Sequence, residues 1–195
     1  MEDGTGRHAG DGQAVLEQVN VTRPEHTHGN QESRGSQMDR LEAVRQVVDD
    51  ILRSQPDKEQ GRCGFVHLYG VAAISGLLAV RRGLDPQLSA VAGMLHDISS
   101  YRTGDSTDHA KRSALEAEKI LTELGCFARE EISTACSAIS NHSSKKEIHA
   151  EYDELLKDAD VLQHYLYNTS FALIEKEKRR LAGVLEAFDV AVKLW

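Results

Sequence analysis

The residues with the clearest potential for chemistry are a histidine and an aspartate that stand side by side. His96 and Asp97 close the apolar run QLSAVAGMLHDI, where a helix is predicted to enter the core. Burying an imidazole next to an ionised carboxylate costs several kcal/mol unless both groups find partners. A divalent metal ion would be such a partner, so the pair raises the hypothesis of a metal site.

Further residues of ligand type lie on stripes that otherwise consist of core residues. They come from separate predicted helices or helix ends, and they are His67, His109, His142 and Asp160. With His96 and Asp97 they supply imidazole and carboxylate groups, which suit divalent transition metals such as Mn, Fe, Co, Ni or Zn. A carboxylate at a helix end can bridge two ions about 3.5–4 Å apart. We therefore expect one or two ions of this class as the cofactor.

The elements that carry these side chains are predicted from the helical spacing of apolar residues. No segment has the alternating pattern of a β-strand, so the expected fold is all-α, a single helical bundle. The predicted helices cover residues 38–55, about 65–82, 85–97, 108–125, 128–143, 153–168 and 171–195. Asp85 is predicted to cap the third of these helices and Thr107 or Asp108 the fourth, which Gly125 ends. Residues 56–64 (PDKEQGRCG) and 99–107 (SSYRTGDST) are predicted to be loops.

The composition divides the chain into two parts. Residues 1–37 are rich in glycine, histidine and polar residues without a sustained period, which predicts a disordered tail or leader. Residues 38–195 begin at a second methionine, Met38, and form the predicted helical domain. The last predicted helix is amphipathic, and it either covers the core or forms a homodimer contact.

The overall charge and the cysteines exclude several classes of protein. A net charge of −8 argues against general nucleic-acid binding, although a metal site could still attract a small anionic substrate. The longest apolar run, VAAISGLLAV, is half the length that a membrane span needs, and no signal peptide opens the chain. Three cysteines without a CxxC pair fit a reducing compartment. We therefore expect a cytoplasmic protein that does not bind a membrane.

The order of the candidate ligands resembles a known family. An apolar helix with a histidine, then LHD, then a distant DAD is similar to the HD-domain metal-dependent phosphohydrolase superfamily, over roughly residues 60–168. The resemblance implies that His67, His96, Asp97 and Asp160 bind the first metal ion. In the segment DADVLQ it assigns the ligand role to Asp160 rather than to Asp158.

The binuclear members of the superfamily add histidines between the HD pair and the last aspartate. His109 and His142 stand in matching places, which implies that Asp97 bridges to a second ion held by these two histidines. The branch that cleaves cyclic dinucleotides often has a histidine where this chain has Ser143 and a lysine where it has Ser100. These two departures weaken an assignment to that branch and leave the hydrolase assignment in place.

The resemblance implies a hydrolytic reaction on a small phosphate ester, such as a nucleotide or a related phosphorylated metabolite. Asp97 and His96 would be the central catalytic residues, because they hold the metal that activates water. The expected contacts to the substrate are Lys111, Arg102, Lys145 and His164. Two alternatives remain open, namely a non-catalytic sensor of metal or nucleotide and a diiron oxygenase on the same fold.

Overall fold

A computed structural model describes residues 39–167, 169 and 174–190 of the chain, and every regular element in these ranges is a helix. The predicted all-α fold is therefore confirmed for the described part. The predicted disordered tail, residues 1–37, lies outside the described residues. The eight helices are α1 (Arg40–Arg53), α2 (Lys58–Arg82), α3 (Pro86–Leu95), α4 (Ile98–Thr103), α5 (His109–Leu124), α6 (Arg129–Asn141), α7 (Glu151–Tyr167) and α8 (Glu175–Ala187).

The starts of the first three helices are set by aspartate caps. The side chains of Asp39, Asp57 and Asp85 each accept a hydrogen bond from backbone N–H groups in the first turn of α1, α2 and α3, respectively. Such a cap satisfies donors that have no partner within the helix and contributes about 1 kcal/mol. The predicted cap at Asp85 is confirmed.

The prediction of a loop over residues 56–64 is wrong, because α2 already begins at Lys58. The two glycines in this stretch, Gly61 and Gly64, both lie inside the helix, where another segment approaches closely. A Cβ atom on Gly61 would stand 2.8 Å from the carbonyl oxygen of Leu52, and one on Gly64 would meet the ring of Tyr101 at 2.9 Å. These glycines therefore serve packing rather than chain reversal.

The prediction of a loop over residues 99–107 is also wrong in its first half. Residues Ile98–Thr103 form the short helix α4, which ends at Gly104 in a left-handed conformation with φ of 70°. His96 and Asp97 thus occupy the junction between two helices, where His96 is the C-cap of α3 and Asp97 is the N-cap of α4. Two successive side chains can point into one space at such a junction, because the helical rotation is interrupted there.

The long helix α2 runs through the middle of the bundle and packs most extensively on α3 and α7. Its closest approach to α3 is at Gly93, where a Cβ atom would lie 2.7 Å from the Cα of Ala72. The fully buried side chains at these contacts include Leu68, Val71, Leu95, Leu156 and Ala159. This packing brings His67 of α2 next to the helix junction and next to α7.

Among the described residues, α2 is the one helix long and apolar enough to cross a membrane by length and composition, with a mean hydropathy of 1.8 over its most apolar window. The core helix of a bundle meets the same criterion. Leu68, Val71, Ala72, Leu78 and Ala79 of α2 are buried against the other helices. These side chains belong to the core, whereas Leu77 and Val80 of the same helix are exposed.

Candidate metal centre

Five histidines and two aspartates from five parts of the fold meet at one place. His67 lies in the middle of α2, while His96 and Asp97 form the junction of α3 and α4. The remaining members are His109 at the start of α5, His142 directly after α6, and Asp160 and His164 on α7. The structure thus brings together all six predicted metal ligands and the predicted substrate contact His164.

One half of the cluster surrounds Oδ2 of Asp97. This oxygen lies 3.6 Å from Nε2 of His67 and 3.6 Å from Nε2 of His96, and those two nitrogens are 3.1 Å apart. Oδ1 of Asp160 lies 3.7 Å from Nε2 of His67 and 3.8 Å from Nε2 of His96. Both histidine nitrogens therefore lie within 3.8 Å of one oxygen from each aspartate.

The other half of the cluster surrounds Oδ1 of Asp97. This oxygen is 3.7 Å from Nε2 of His109 and 3.4 Å from Nε2 of His142. The two oxygens of one carboxylate therefore face two different pairs of histidines. Such an arrangement is the one by which a carboxylate bridges two metal ions.

His109 owes its position to the turn before α5. Asp108 occupies the cap position, as predicted for Thr107 or Asp108, but its backbone is left-handed with φ of 47° and its side chain makes no capping hydrogen bond. Aspartate is one of the few residues other than glycine that adopt this conformation readily. The turn places the first residue of α5 beside Asp97.

Hydrogen bonds at the far side of four imidazoles orient their free nitrogens toward the cluster. In each ring Nδ1 contacts an oxygen that can only accept, so Nδ1 carries the proton and Nε2 keeps a lone pair for a metal ion. The acceptors are Gly93 O for His96 at 2.7 Å, Ile139 O for His142 at 2.7 Å, Ser106 O for His109 at 3.0 Å and Gln163 Oε1 for His67 at 2.8 Å.

The electrostatics of His96, Asp97 and Asp160 favour the forms that bind metal. For His67, burial lowers the pKa, but Asp97 and Asp160 outweigh it and raise that pKa. Complete burial of His96 lowers its pKa to about 3, so its imidazole is neutral. Burial by itself would raise the pKa of Asp97, but His96, His142 and His67 outweigh it and lower that pKa below the usual range. The pKa of Asp160 is likewise opposed by burial and lowered by the Lys145 ammonium and the nearby histidines. Neutral imidazoles and ionised carboxylates are the states that ligate a cation.

Two unsatisfied oxygens indicate that a cation fits this cluster. Oδ1 of Asp97 and Oδ1 of Asp160 are buried, and neither has a hydrogen-bond partner among the described residues. An ionised carboxylate oxygen left in this state is costly, whereas a divalent ion would compensate both oxygens. The side chains present therefore fit one or two divalent transition metal ions, with nitrogen and oxygen ligands only.

The cluster opens to solvent through a cavity of about 620 Å³. Asp97 and His109 are among the residues that line it, so the cavity borders the second half of the cluster. The other residues that line it are Asp57, Glu59, Gln60, Cys63, Ser100, Tyr101 and Ser106. The structure thus supplies a space for a small molecule beside the candidate ligands.

The four predicted substrate contacts have different surroundings. His164 stacks on His67 with ring centroids 5.3 Å apart, and its Nε2 lies 3.4 Å from Oδ1 of Asp160. Lys145 is buried and its ammonium contacts Oδ2 of Asp160. Arg102 is half exposed and contacts Glu116. Lys111 lines a separate groove between α5 and α6, so the structure does not bring it into the cluster.

Sequence analysis missed some residues that support the cluster. Gln163 is buried and holds His67, and Glu177 of α8 is buried with Oε1 3.6 Å from Nδ1 of His164. A signal for Gln163 was present, since it is a polar residue on the buried stripe of α7, three positions after Asp160. Asp158, the other aspartate of DAD, contacts Arg82 and Arg180 instead.

Comparison with known protein families identifies the family of this chain. The HD domain family model matches residues 64–165, which is just over half of the chain. The chain belongs to the HD domain family. The resemblance noted from the motif is therefore confirmed, and with it a place among metal-dependent hydrolases that bind divalent ions.

Comparison of the HD domain with solved structures supports the fold. A crystal structure described as a predicted HD superfamily hydrolase, from an uncultured Thermotogales bacterium, aligns with a TM-score of 0.53 at 21% sequence identity. The alignment covers 80% of this chain and 92% of that chain. No curated protein matches this chain.

Proposed function

We propose that this HD domain is a metal-dependent phosphohydrolase that cleaves a small phosphate ester, such as a nucleotide or a related phosphorylated metabolite. The observation that carries the proposal is the position of Asp97, whose Oδ2 faces His67 and His96 while its Oδ1 faces His109 and His142. A shared carboxylate of this kind is typical of sites in which two ions act on the two sides of a phosphoryl group.

The proposed ligands follow from the two halves of the cluster. His67, His96, Asp97 and Asp160 would hold one ion, and Asp97, His109 and His142 would hold the other. Bound ions of this class supply Lewis acidity toward phosphoryl oxygens and activate water near neutral pH. The protein holds the ligands in place through the hydrogen bonds on Nδ1, so little reorganisation is needed during the reaction.

The space around the cluster suits a small substrate. A cavity of about 620 Å³ lies within the usual range for small-molecule sites, about 300–1,000 Å³. We assign the phosphate to the side of the cavity where Asp97 and His109 are found. His164, whose side chain is 44% exposed, borders the other half of the cluster, where its Nε2 lies 3.4 Å from Oδ1 of Asp160.

The remaining features agree with a cytoplasmic enzyme that acts on small molecules. The net charge of −8 disfavours general binding to nucleic acids. Cys63, Cys126 and Cys136 are all free thiols, which fits a reducing compartment.

The first experiment measures metal content and hydrolysis on the chain from Met38, purified without a histidine tag. We expect about two equivalents of a divalent transition metal per chain and release of phosphate from members of a panel of nucleotides and sugar phosphates. D97A should lose both the metal and the activity, because it removes both oxygens shared between the half-sites. H142A should lower the metal content to about one equivalent, because it removes a ligand of one half-site only.

Four outcomes would contradict the proposal. The enzyme assignment fails if metal content is near zero and added Mn, Co, Ni or Fe does not raise it. The role of Asp97 as a metal ligand fails if D97A keeps full activity. Oxygen uptake with ferrous iron, without phosphate release, would replace the hydrolase by an oxygenase, while tight nucleotide binding without turnover would indicate a sensor.

A further inference from the structure

A buried lysine contacts one of the two proposed aspartate ligands. Lys145 lies in the segment that connects α6 to α7, and its ammonium contacts Oδ2 of Asp160. The side chains of Lys145 and Asp160 are only 3% and 6% exposed, respectively. A lysine is rarely buried unless it is paired, so the ammonium of Lys145 depends on its contact with Asp160.

The two oxygens of Asp160 therefore have different environments. Oδ2 is occupied by Lys145, whereas Oδ1 has no hydrogen-bond partner and faces Nε2 of His67 and His96 at 3.7 and 3.8 Å. A carboxylate anchored through one oxygen cannot rotate to present both oxygens to an ion. It is left with one oxygen for ligation.

Lys145 is itself held by an arginine from α8. Nη2 of Arg180 donates to the backbone carbonyl of Lys145 at 3.1 Å and to Oε2 of Glu154 at 2.9 Å, and Nη1 donates to Oδ1 of Asp158 at 2.7 Å. The planar guanidinium makes these three contacts in one fixed geometry. Because Glu154 and Asp158 both belong to α7, Arg180 links Lys145 to the helix that carries Asp160.

We infer that Lys145 is a positioning residue that restricts Asp160 to ligation through Oδ1, and that Arg180 of α8 sets the position of Lys145. This inference rests on the proposed metal site. It gives Lys145 a role that acts through a ligand rather than through the substrate. It also gives α8 a role in the site, although α8 lies outside residues 64–165 that match the HD domain family.

The chain contains a matched control for Arg180. Arg82 of α2 also pairs with Asp158, through the other oxygen, Oδ2. It makes no hydrogen bond to Lys145 among the described residues. A substitution of Arg82 thus removes an ion pair with Asp158 but leaves the contact between the α8 arginine and Lys145 in place.

The number of ligands on the ion identifies the role of Lys145 more directly than affinity alone. Without the ammonium, Oδ2 of Asp160 is free to bind the ion as well, which increases the coordination number. Visible absorption of cobalt(II) becomes weaker as its coordination number increases, so cobalt reports this change. Affinity should fall by about 10–100-fold, the usual effect of removing a residue that orients a ligand.

The experiment titrates cobalt(II) into the metal-free chain from Met38 and follows visible absorption in the K145M, R180M and R82M variants. K145M and R180M should give weaker absorption per bound ion and lower affinity than the wild type, whereas R82M should behave like the wild type. K145R should restore part of both values, since it keeps a charged donor. Thermal unfolding of each metal-free variant confirms that it is folded, and R180M tests the inference independently if K145M fails to fold.

The results distinguish the inference from the proposed function. Wild-type absorption and affinity in K145M would overturn the role of Lys145, and tighter cobalt binding would show that it acts by charge repulsion instead of positioning. An R82M protein that matches R180M would overturn the specific role of Arg180. If the wild type binds no cobalt, the proposed function fails and the inference fails with it.

Discussion

At the scale of single residues, the site depends on which partner each polar atom of a side chain faces. Asp97 presents a different oxygen to each half of the cluster, and Asp160 presents one oxygen to the histidines and the other to Lys145. The two nitrogens of each imidazole likewise have different partners. In His67, His96, His109 and His142, Nδ1 donates to a fixed oxygen, so a partner on the far side of each ring determines the position of its Nε2.

Gln163 is the clearest test of this dependence. Its Oε1 accepts the Nδ1 proton of His67 at 2.8 Å, and Gly70 leaves room for it, since a Cβ atom there would lie 3.0 Å from Cγ of Gln163. Q163L should lower metal affinity by about 10–100-fold without removing a ligand. Q163E keeps an acceptor oxygen and should retain most of the affinity. Titration calorimetry with Mn²⁺ measures both, and equal affinity in Q163L and the wild type would contradict this role.

At the scale of helices, the site depends on the close contact of α2 and α3. His67 is carried by α2 and His96 ends α3, so the separation of these two helices sets the distance between the two imidazoles. That separation is small because Gly93 has no Cβ to hold the backbones apart. The junction of α3 with α4 then allows Asp97 to follow His96 into the same space.

Two glycine substitutions should therefore change stability in opposite directions. In G93A the new Cβ would lie 2.7 Å from the Cα of Ala72, a backbone atom that cannot move aside, so we expect a loss of about 1–3 kcal/mol. In G76A the nearest atom would be Pro86 O at 3.7 Å, an ordinary contact, so the better helix propensity of alanine should add up to about 1 kcal/mol. Urea unfolding of both variants measures the difference, and a stabilised G93A would contradict the packing argument.

At the scale of the whole molecule, metal binding and folding are linked. The ligands come from α2, the α3–α4 junction, α5, α6 and α7, so they are near one another only when the bundle is folded. The buried Oδ1 atoms of Asp97 and Asp160 have no hydrogen-bond partner among the described residues, so they destabilise the metal-free protein. A metal ion that binds the folded state should therefore stabilise the entire domain.

Removal of the metal should lower the unfolding temperature. A ligand at a hundred times its Kd stabilises a folded protein by about 2.7 kcal/mol. We expect a higher Tm for the chain in excess Mn²⁺ than in a chelator, as measured by differential scanning calorimetry. D97A is the control and should unfold at the same temperature in both conditions. An equal Tm of the wild type in Mn²⁺ and in chelator would contradict the linkage between metal binding and folding.

Much of the fold could be predicted from the sequence because its determinants are local. Apolar spacing indicated the helices, Asp85 and Gly125 marked where α3 begins and α5 ends, and no strand pattern competed. The prediction of a loop over residues 56–64 was wrong, since Gly61 and Gly64 lie inside α2 and allow close contact with Leu52 and Tyr101.

The set of candidate ligands was also present in the sequence, since histidines and aspartates on otherwise apolar stripes are costly without a partner. Which atoms meet was decided only by the tertiary structure. The two faces of Asp97, the hydrogen bond from His67 to Gln163 and the contact of Lys145 with Asp160 join residues from separate helices or chain segments. Local sequence patterns constrain backbone conformation over a few residues. These contacts instead depend on how the helices pack, because only packing brings side chains that are distant in sequence within bonding distance.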